Sequence, residues 1–184
     1  AIGPGLGKEA WAAALVQKTL AEFHEPMVLD ADGINLAAEH RGWLMQHEGP
    51  LILTPHVGEF GRLMDQSAAA ISADIPGQAK TCAEKYHCVC VLKDAPTAVA
   101  SSDGTCWMNY TGNNGMSTAG SGDVLTGIIA GLLGQKVKAE DAARLGVWLH
   151  GRAGDLAACT EGTYGLLARH LIQYLPQAMK GEQE

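Results

Sequence analysis

Residues 112–133 read GNNGMSTAGSGDVLTGIIAGLL, a run of small, flexible residues with one aspartate that passes straight into an apolar segment. Gly115, Gly120 and Gly122 let the backbone take positive φ and approach a ligand closely, while Ser117, Thr118 and Ser121 add hydroxyl donors without bulk. From Val124 the apolar residues repeat at helical spacing: Val124, Ile128 and Leu132 form one row, and Leu125, Ile129 and Leu133 a second beside it. The pattern predicts a loop and then a helix over 124–133, with Asp123 at the helix start. The first turn of a helix carries unpaired N–H groups and a partial positive charge. Glycines just ahead of it therefore make a site for phosphate or another anion, and a carboxylate there can act as well as bind. A Gly-Ser-Gly-Asp string is also an ordinary helix cap. Capping alone leaves unexplained the Gly-Met-Ser-Thr-Ala-Gly lead-in and the Gly127 and Gly131 pair along one helix side.

Outside this stretch, helical and strand-like segments alternate. Periodicity predicts helices over 9–23, 76–86, 139–158 and 168–179. Short apolar or β-branched runs predict strands over 27–30, 51–54, 89–93 and 97–101, with 106–109 as a return strand after the Asp103-Gly104 turn. Asp30 and Asp32 are expected to flank a turn after the first strand, with Asn35 reinforcing it. No internal repeat, low-complexity tract or Pro/Ser-rich linker divides the chain. The alternation implies a three-layer α/β/α sandwich with a largely parallel sheet. Sites in such folds gather beyond the carboxyl ends of strands, which groups Asp30, His56 and Lys93 with the helix start at Asp123.

Composition narrows the function classes. A chain of 184 residues fits one domain and buries roughly 70% of the surface its unfolded form exposes. Thirteen basic against 20 acidic residues give a net charge of −7, which argues against nucleic acid or an anionic membrane as the main partner. Binding an anion must then depend on local donors. No apolar run reaches the roughly 20 residues that span a bilayer, and no signal-like start is present, so a cytoplasmic protein is expected. Cys82, Cys88, Cys90, Cys106 and Cys159 form an odd set without a C-x-x-C pair. They are read as small core residues rather than disulfide partners or zinc ligands.

Asn114-Gly115-Met116-Ser117-Thr118-Ala119-Gly120-Ser121-Gly122-Asp123-Val124-Leu125-Thr126-Gly127 resembles the signature of the ADP- or ATP-dependent NAD(P)H-hydrate dehydratases, a branch of the ribokinase-like superfamily. Gly3-Pro4-Gly5-Leu6-Gly7 resembles that family's substrate loop, and Asp30-Ala31-Asp32-Gly33-Ile34-Asn35 its post-strand acidic motif. Thr54-Pro55-His56-Val57-Gly58-Glu59-Phe60 resembles its Pro-His-x-Gly-Glu motif, and Lys93-Asp94-Ala95-Pro96-Thr97 its nucleotide segment. These motifs stand in family order from residue 1 to about 171. The family's domain carries a further stretch ahead of the Gly-Pro-Gly loop, so residues 1–184 read as a single domain truncated at its N-terminus.

The resemblance implies dehydration of hydrated NADH and NADPH (the S-epimer) back to the reduced cofactor, through phosphorylation of the ring hydroxyl and loss of phosphate. It implies ADP or ATP as co-substrate, Mg2+, and a homo-oligomer, a tetramer by family habit. Asp123 becomes the catalytic base and a substrate contact, with Gly5 and His56 as further substrate contacts. Lys93, Asp94, Ala95, Pro96, Thr97 and Gly122 become the nucleotide contacts, and Gly120, Ser121 and Gly122 the anion hole. Asp94 stands where the family usually has glycine, and a carboxylate beside phosphates weakens nucleotide affinity unless it points outward.

The individual residues also admit simpler roles. Glu59 reads first as an early-helix carboxylate matched to the dipole, and His150 as a packing residue. Lys93 alone would read as a solvated strand-end lysine, and Asp30 or Asp32 either forms the turn or holds magnesium through water. Two other functions fit the same parts: a small-molecule kinase acting on a vitamin-precursor alcohol, and a nucleotide-binding fragment without catalysis. The Gly-Pro-Gly-Leu-Gly and Pro-His-x-Gly-Glu segments count against the kinase.

Overall fold

The computed structural model describes residues 1–180. Five short strands form one mixed sheet in the order β1 (Met27–Leu29), β2 (Leu51–Leu53), β3 (Val89–Leu92), β4 (Thr97–Ala100) and β5 (Cys106–Asn109). β1 and β2 pair in parallel, as do β2 and β3; β3–β4 and β4–β5 are antiparallel. The parallel half matches the crossover pattern read from the sequence; in the antiparallel half β4 folds back on β3 through residues 93–96, and β5 is the return strand after the Asp103-Gly104 turn.

β1 to β3 are buried on both faces, as expected of strands covered by helices on either side. Their alternation sorts the side chains into two cores. Met27, Leu29, Leu51, Leu53, Cys88, Cys90 and Leu92 face one layer, where they meet α1 (Ala10–Glu22), α2 (Ala31–Glu39), α3 (Val57–Met64) and α5 (Ile75–Tyr86). Val28, Ile52, Val89, Val91 and Val99 face the other, against α6 (Ser121–Gly134) and α7 (Ala139–Glu161). α4 (Ala68–Ala73) links α3 to α5, and α8 (Ala168–Met179) lies along α7 through Leu149, Ala153, Ala157, Leu171 and Ala178. Each fully buried valine or leucine in these layers contributes about 1.5–3 kcal/mol.

All five cysteines are free. Cys88 and Cys90 share one sheet face with Cys82 behind them in the same core. The thiol contact with Cys82 and burial push both thiols well above the usual cysteine value, so they stay protonated and inert.

One local reading is corrected. Asp30 and Asp32 do flank a turn, which leads into α2: Ala31 between them is left-handed with a φ of +49°, the Gly33 N–H donates to the Asp30 carbonyl at 2.9 Å, and the chain runs straight on as helix to Glu39. Gly33 and Asn35 resemble turn residues, yet Ile34, Leu36 and Ala37 bury onto the sheet and hold the helix. Asn35 accepts a hydrogen bond from the Arg62 Nε–H at 2.7 Å instead of closing a loop. Gly127 and Gly131 lie open on α6, where a methyl added at either meets nothing within 4 Å. They front an apolar groove of about 490 Å³ between α6 and α8.

Gly3 is different. Its φ is +126°, and a methyl there would collide with the Asp30 carbonyl oxygen. That close approach lets Ile2 bridge β1, with its N–H donating to Val28 at 2.9 Å and its carbonyl accepting from the Asp30 N–H at 3.1 Å. No helix among the described residues is long and apolar enough to cross a membrane.

Candidate active site

The carboxyl ends of β1, β2 and β3 lie side by side, and each is followed by a chemically able group: Asp30, His56 and Lys93. An isolated parallel bridge joins His56 to Lys93, and the Lys93 N–H donates to the Pro55 carbonyl at 2.8 Å. Opposite them stands the amino end of α6. Between the two runs a cleft of about 1020 Å³.

Most of the predicted residues come together here. His56, Lys93, Asp94, Ala95, Pro96, Thr97, Ser121, Gly122 and Asp123 all line the cleft, whereas Gly5 and Gly120 do not. Gly5 sits in the loop that docks against the start of α2, where the Gly7 N–H donates to Asp32 Oδ2 at 2.9 Å. Gly120 has a φ of +84° and turns the chain into α6 as its N-cap.

The α6 turn has a specific pattern of donors. The Ser121 N–H is taken by the Thr118 carbonyl at 3.2 Å, and the Val124 N–H by the Gly120 carbonyl at 3.1 Å. The N–H groups of Gly122 and Asp123 donate to no acceptor among the described residues, and they are the donors that carry the positive end of the helix. Asp123 is exposed in this first turn.

Lys93 is held firmly. Its Nζ lies 2.9 Å from Asp30 Oδ1 and 4.0 Å from Glu59 Oε2. Asp30 is 1% exposed, and its other oxygen accepts from Thr126 Oγ1 at 2.6 Å. A methyl on Gly122 would come within 3.3 Å of the lysine amine, so the missing side chain lets that charge reach the α6 turn. Lys93 is therefore not the freely solvated lysine that the sequence alone allows.

Asp94 folds back to accept from the Ala95 N–H at 2.8 Å, and its carbonyl accepts from Thr97 Oγ1 at 2.9 Å. Its carboxylate closes its own turn and is exposed.

His56 caps α3. Nδ1 accepts from the N–H groups of Gly58 (2.9 Å) and Glu59 (3.3 Å), and Glu59 Oε2 accepts from the His56 N–H at 2.9 Å, a reciprocal capping box. With Nδ1 accepting, the proton sits on Nε2, 3.2 Å from Glu59 Oε1. The side chain is still 53% exposed and borders the cleft. Glu59 is thus a first-turn carboxylate, as read, and also a buried neighbour of Lys93.

The sequence reading missed Thr126, a lone hydroxyl on the buried side of an apolar helix, and Asp155. Asp155 Oδ2 accepts from the Gly112 N–H at 2.9 Å and Oδ1 from Asn113 Nδ2 at 3.0 Å. These bonds tie the 111–116 wall of the cleft to α7. Gly151 allows the same approach, since a methyl there would meet the Thr111 carbonyl oxygen at 2.6 Å.

His150 also proves more than packing. Its Nε2–H donates to the Ser121 carbonyl at 2.9 Å, pinning the α6 turn to α7. Burial, with a lesser push from Lys93, lowers its pKa from 6.5 to about 4 against the opposing effect of the Ser121 hydrogen bond. The unfolded chain takes up this proton near pH 6.5 and the folded chain only near 4. Stability from this group is therefore full above the higher value and lost as the pH falls toward the lower one, a difference of about 3 kcal/mol. Denaturant unfolding from about pH 7 down to about pH 4 is expected to show this loss. His150→Gln, which keeps an N–H for Ser121, removes that component. An unchanged slope in the variant assigns the loss to other groups.

A three-layer sandwich with strand-end charges facing a glycine-bearing helix start across one cleft defines a ribokinase-like protein. A solved ribokinase-like superfamily protein from Enterococcus faecalis matches with a TM-score of 0.84 and 32% identity, covering 97% of this chain and 61% of that one. The sequence matches the family described as NAD(P)H-hydrate dehydratase over residues 1–177, and the chain belongs to that family. The bifunctional NAD(P)H-hydrate repair enzyme Nnr of Moorella thermoacetica is 46% identical over 184 residues, which are all of this chain and 35% of that enzyme. The ADP-dependent (S)-NAD(P)H-hydrate dehydratase of Neisseria meningitidis is 41% identical over 172 residues, 91% of this chain and 58% of that protein. The Bacillus subtilis ADP/ATP-dependent NAD(P)H-hydrate dehydratase, co-crystallized with ATP and Mg2+, matches with a TM-score of 0.85 and 35% identity, covering 97% of this chain and 62% of that one. The chain thus spans only part of each relative's length.

Proposed function

We propose that this chain carries the nucleotide-dependent dehydration of hydrated NADH and NADPH, restoring the reduced cofactors. The observation that carries the reading is the convergence, in one cleft, of an exposed Asp123 carboxylate, the free Gly122 and Asp123 amides and the Lys93 ammonium. Phosphoryl transfer needs such a set: a group to take the hydroxyl proton, and fixed positive charge where the transferring oxygens gather. Asp123 takes the ring-hydroxyl proton as the terminal phosphoryl moves from the nucleotide to that oxygen. Phosphate then leaves with the electron pair of the C–O bond, and the neighbouring ring carbon gives its proton to water, so that the C–H pair becomes the restored double bond.

The strand-end turn of Lys93, Asp94, Ala95, Pro96 and Thr97, with Gly122, holds the adenine nucleotide. Asp123, His56 through Nε2–H, and Gly5 from its neighbouring loop hold the hydrated dinucleotide. The N–H groups of Gly122 and Asp123 supply the anion hole, with Gly120 setting the turn and Ser121 its hydroxyl and the carbonyl that His150 grips.

Magnesium fits this cleft as part of the nucleotide. No group of three His, Cys, Asp or Glu side chains among the described residues is placed to hold a metal. Asp30, Asp32 and Glu59 spend their carboxylates on Lys93, Thr126, Gly7 and His56. A hard cation that keeps much of its hydration would enter with the nucleotide and neutralise charge there. A cytoplasmic location and a homo-oligomer, a tetramer by family habit, go with this reading. Exposed apolar side chains at Trp11, Ile172 and Met179 offer surface for such contacts.

The test is to incubate the protein with hydrated NADH, Mg2+ and either ADP or ATP, and to follow recovery of reduced-nicotinamide absorbance. Recovery that requires nucleotide is expected. No recovery with nucleotide still bound marks a non-catalytic binding module, and phosphorylation of a vitamin-precursor alcohol instead marks a kinase.

A further inference from the structure

We infer that Asp30 and Thr126 form a positioning clamp that fixes the Lys93 ammonium against the phosphate-binding turn of α6. Three separate elements meet in it: the end of β1 through Asp30, the end of β3 through Lys93, and the second turn of α6 through Thr126. Both oxygens of the Asp30 carboxylate are engaged, one by Lys93 Nζ at 2.9 Å and the other by Thr126 Oγ1 at 2.6 Å. The carboxylate is 1% exposed, so water does not compete for it. Thr126 lies one helical turn beyond Gly122 and Asp123 on the same helix, so the clamp ties the lysine directly to the helix whose amides face the cleft. Gly122 leaves the room through which the amine points at that turn, 3.3 Å from where a β-carbon would stand.

An anchored charge differs from a mobile one in what it can do. A mobile ammonium attracts phosphate in the ground state as well as in the transition state, whereas an anchored one is placed where charge develops. Asp30 also neutralises part of the attraction that Lys93 offers a nucleotide, so its effect on affinity and its effect on rate have opposite signs. The clamp lowers ground-state pull and raises transition-state fit.

Asp30→Asn tests this by sign. The amide still accepts from Thr126, but its NH2 faces the lysine ammonium and releases it. ADP affinity, measured by calorimetry, is expected to stay equal or to tighten, while kcat for hydrated NADH falls about tenfold to a hundredfold. A kcat within about threefold of the unaltered protein, or affinity and kcat falling together, overturns the clamp.

The kinetic arm rests on the dehydratase reading, and a second arm does not. The side-chain ammonium of Lys93, assigned by its loss in Lys93→Met, is expected as a slowly exchanging 15N-bound proton signal in the nucleotide-free protein. Asp30→Asn and Thr126→Val remove it, and Thr126→Ser, which keeps the hydroxyl, retains it. If the unaltered protein turns over nothing yet shows this pattern, the dehydratase reading fails and the clamp stands. A signal that is missing from the unaltered protein, or that survives Asp30→Asn, overturns the clamp whatever the activity.

Discussion

Asp123→Asn is expected to lower turnover of the hydrated dinucleotide by about 10²–10⁴-fold, the range that a lost general base removes, and to leave adenine-nucleotide binding close to its original value. The two effects separate because of where the carboxylate sits. It is exposed in the first turn of α6 and holds no partner among the described residues, so asparagine opens no cavity and orphans no donor. Loss of its favourable contact with the helix dipole costs about 0.3–1 kcal/mol, too little to unfold the chain. The amides of Gly122 and Asp123 belong to the backbone and survive the substitution. Initial rates with ADP and Mg2+, set beside calorimetric titration of the nucleotide, give both numbers. Full turnover in the variant removes Asp123 from the role of base, and a parallel collapse of nucleotide binding makes it a binding residue instead.

Lys93→Met has its largest effect on stability. Asp30 is fully enclosed, and the lysine supplies its charge partner at 2.9 Å. Removing one member of a buried ion pair leaves the other charge uncompensated, at a cost of about 3–5 kcal/mol. Lys93 is 20% exposed and Glu59 stands near it as well, which places the expected loss toward the lower end of that range. Adding Asp30→Asn to Lys93→Met recovers most of the loss, because no unpaired charge is then buried and Thr126 keeps an acceptor. Urea unfolding of the two single variants and the double variant closes the cycle. Simple additivity of the single losses would show that the two groups act independently.

The parts of this architecture that depend on short-range pattern were legible in the sequence. Doubly buried strands such as Val89–Leu92 announce themselves as continuous apolar runs. The rule that sites form beyond strand ends correctly grouped Asp30, His56 and Lys93 with the α6 turn, although it could not say how they touch. α2 was hidden because Gly33 and Asn35 look like turn residues, while the helix is held by Ile34 and Leu36 against a sheet that forms from distant sequence. Thr126 reaches a partner 96 residues away and Asp155 one 43 residues away, and neither spacing leaves a local mark.

α7 touches both sides of the cleft. His150 grips the α6 turn, and Asp155, five residues further on, grips the wall at Gly112 and Asn113. Along a helix that separation is about 7.5 Å. One rigid rod thus works as a gauge block, setting the spacing of two surfaces that are far apart in the chain. The facing side is held less tightly, since the side-chain hydrogen bonds of the turn from Asp94 to Thr97 run within the turn itself. A ligand too long for the gauge would have to displace that turn rather than the two walls that the rod holds.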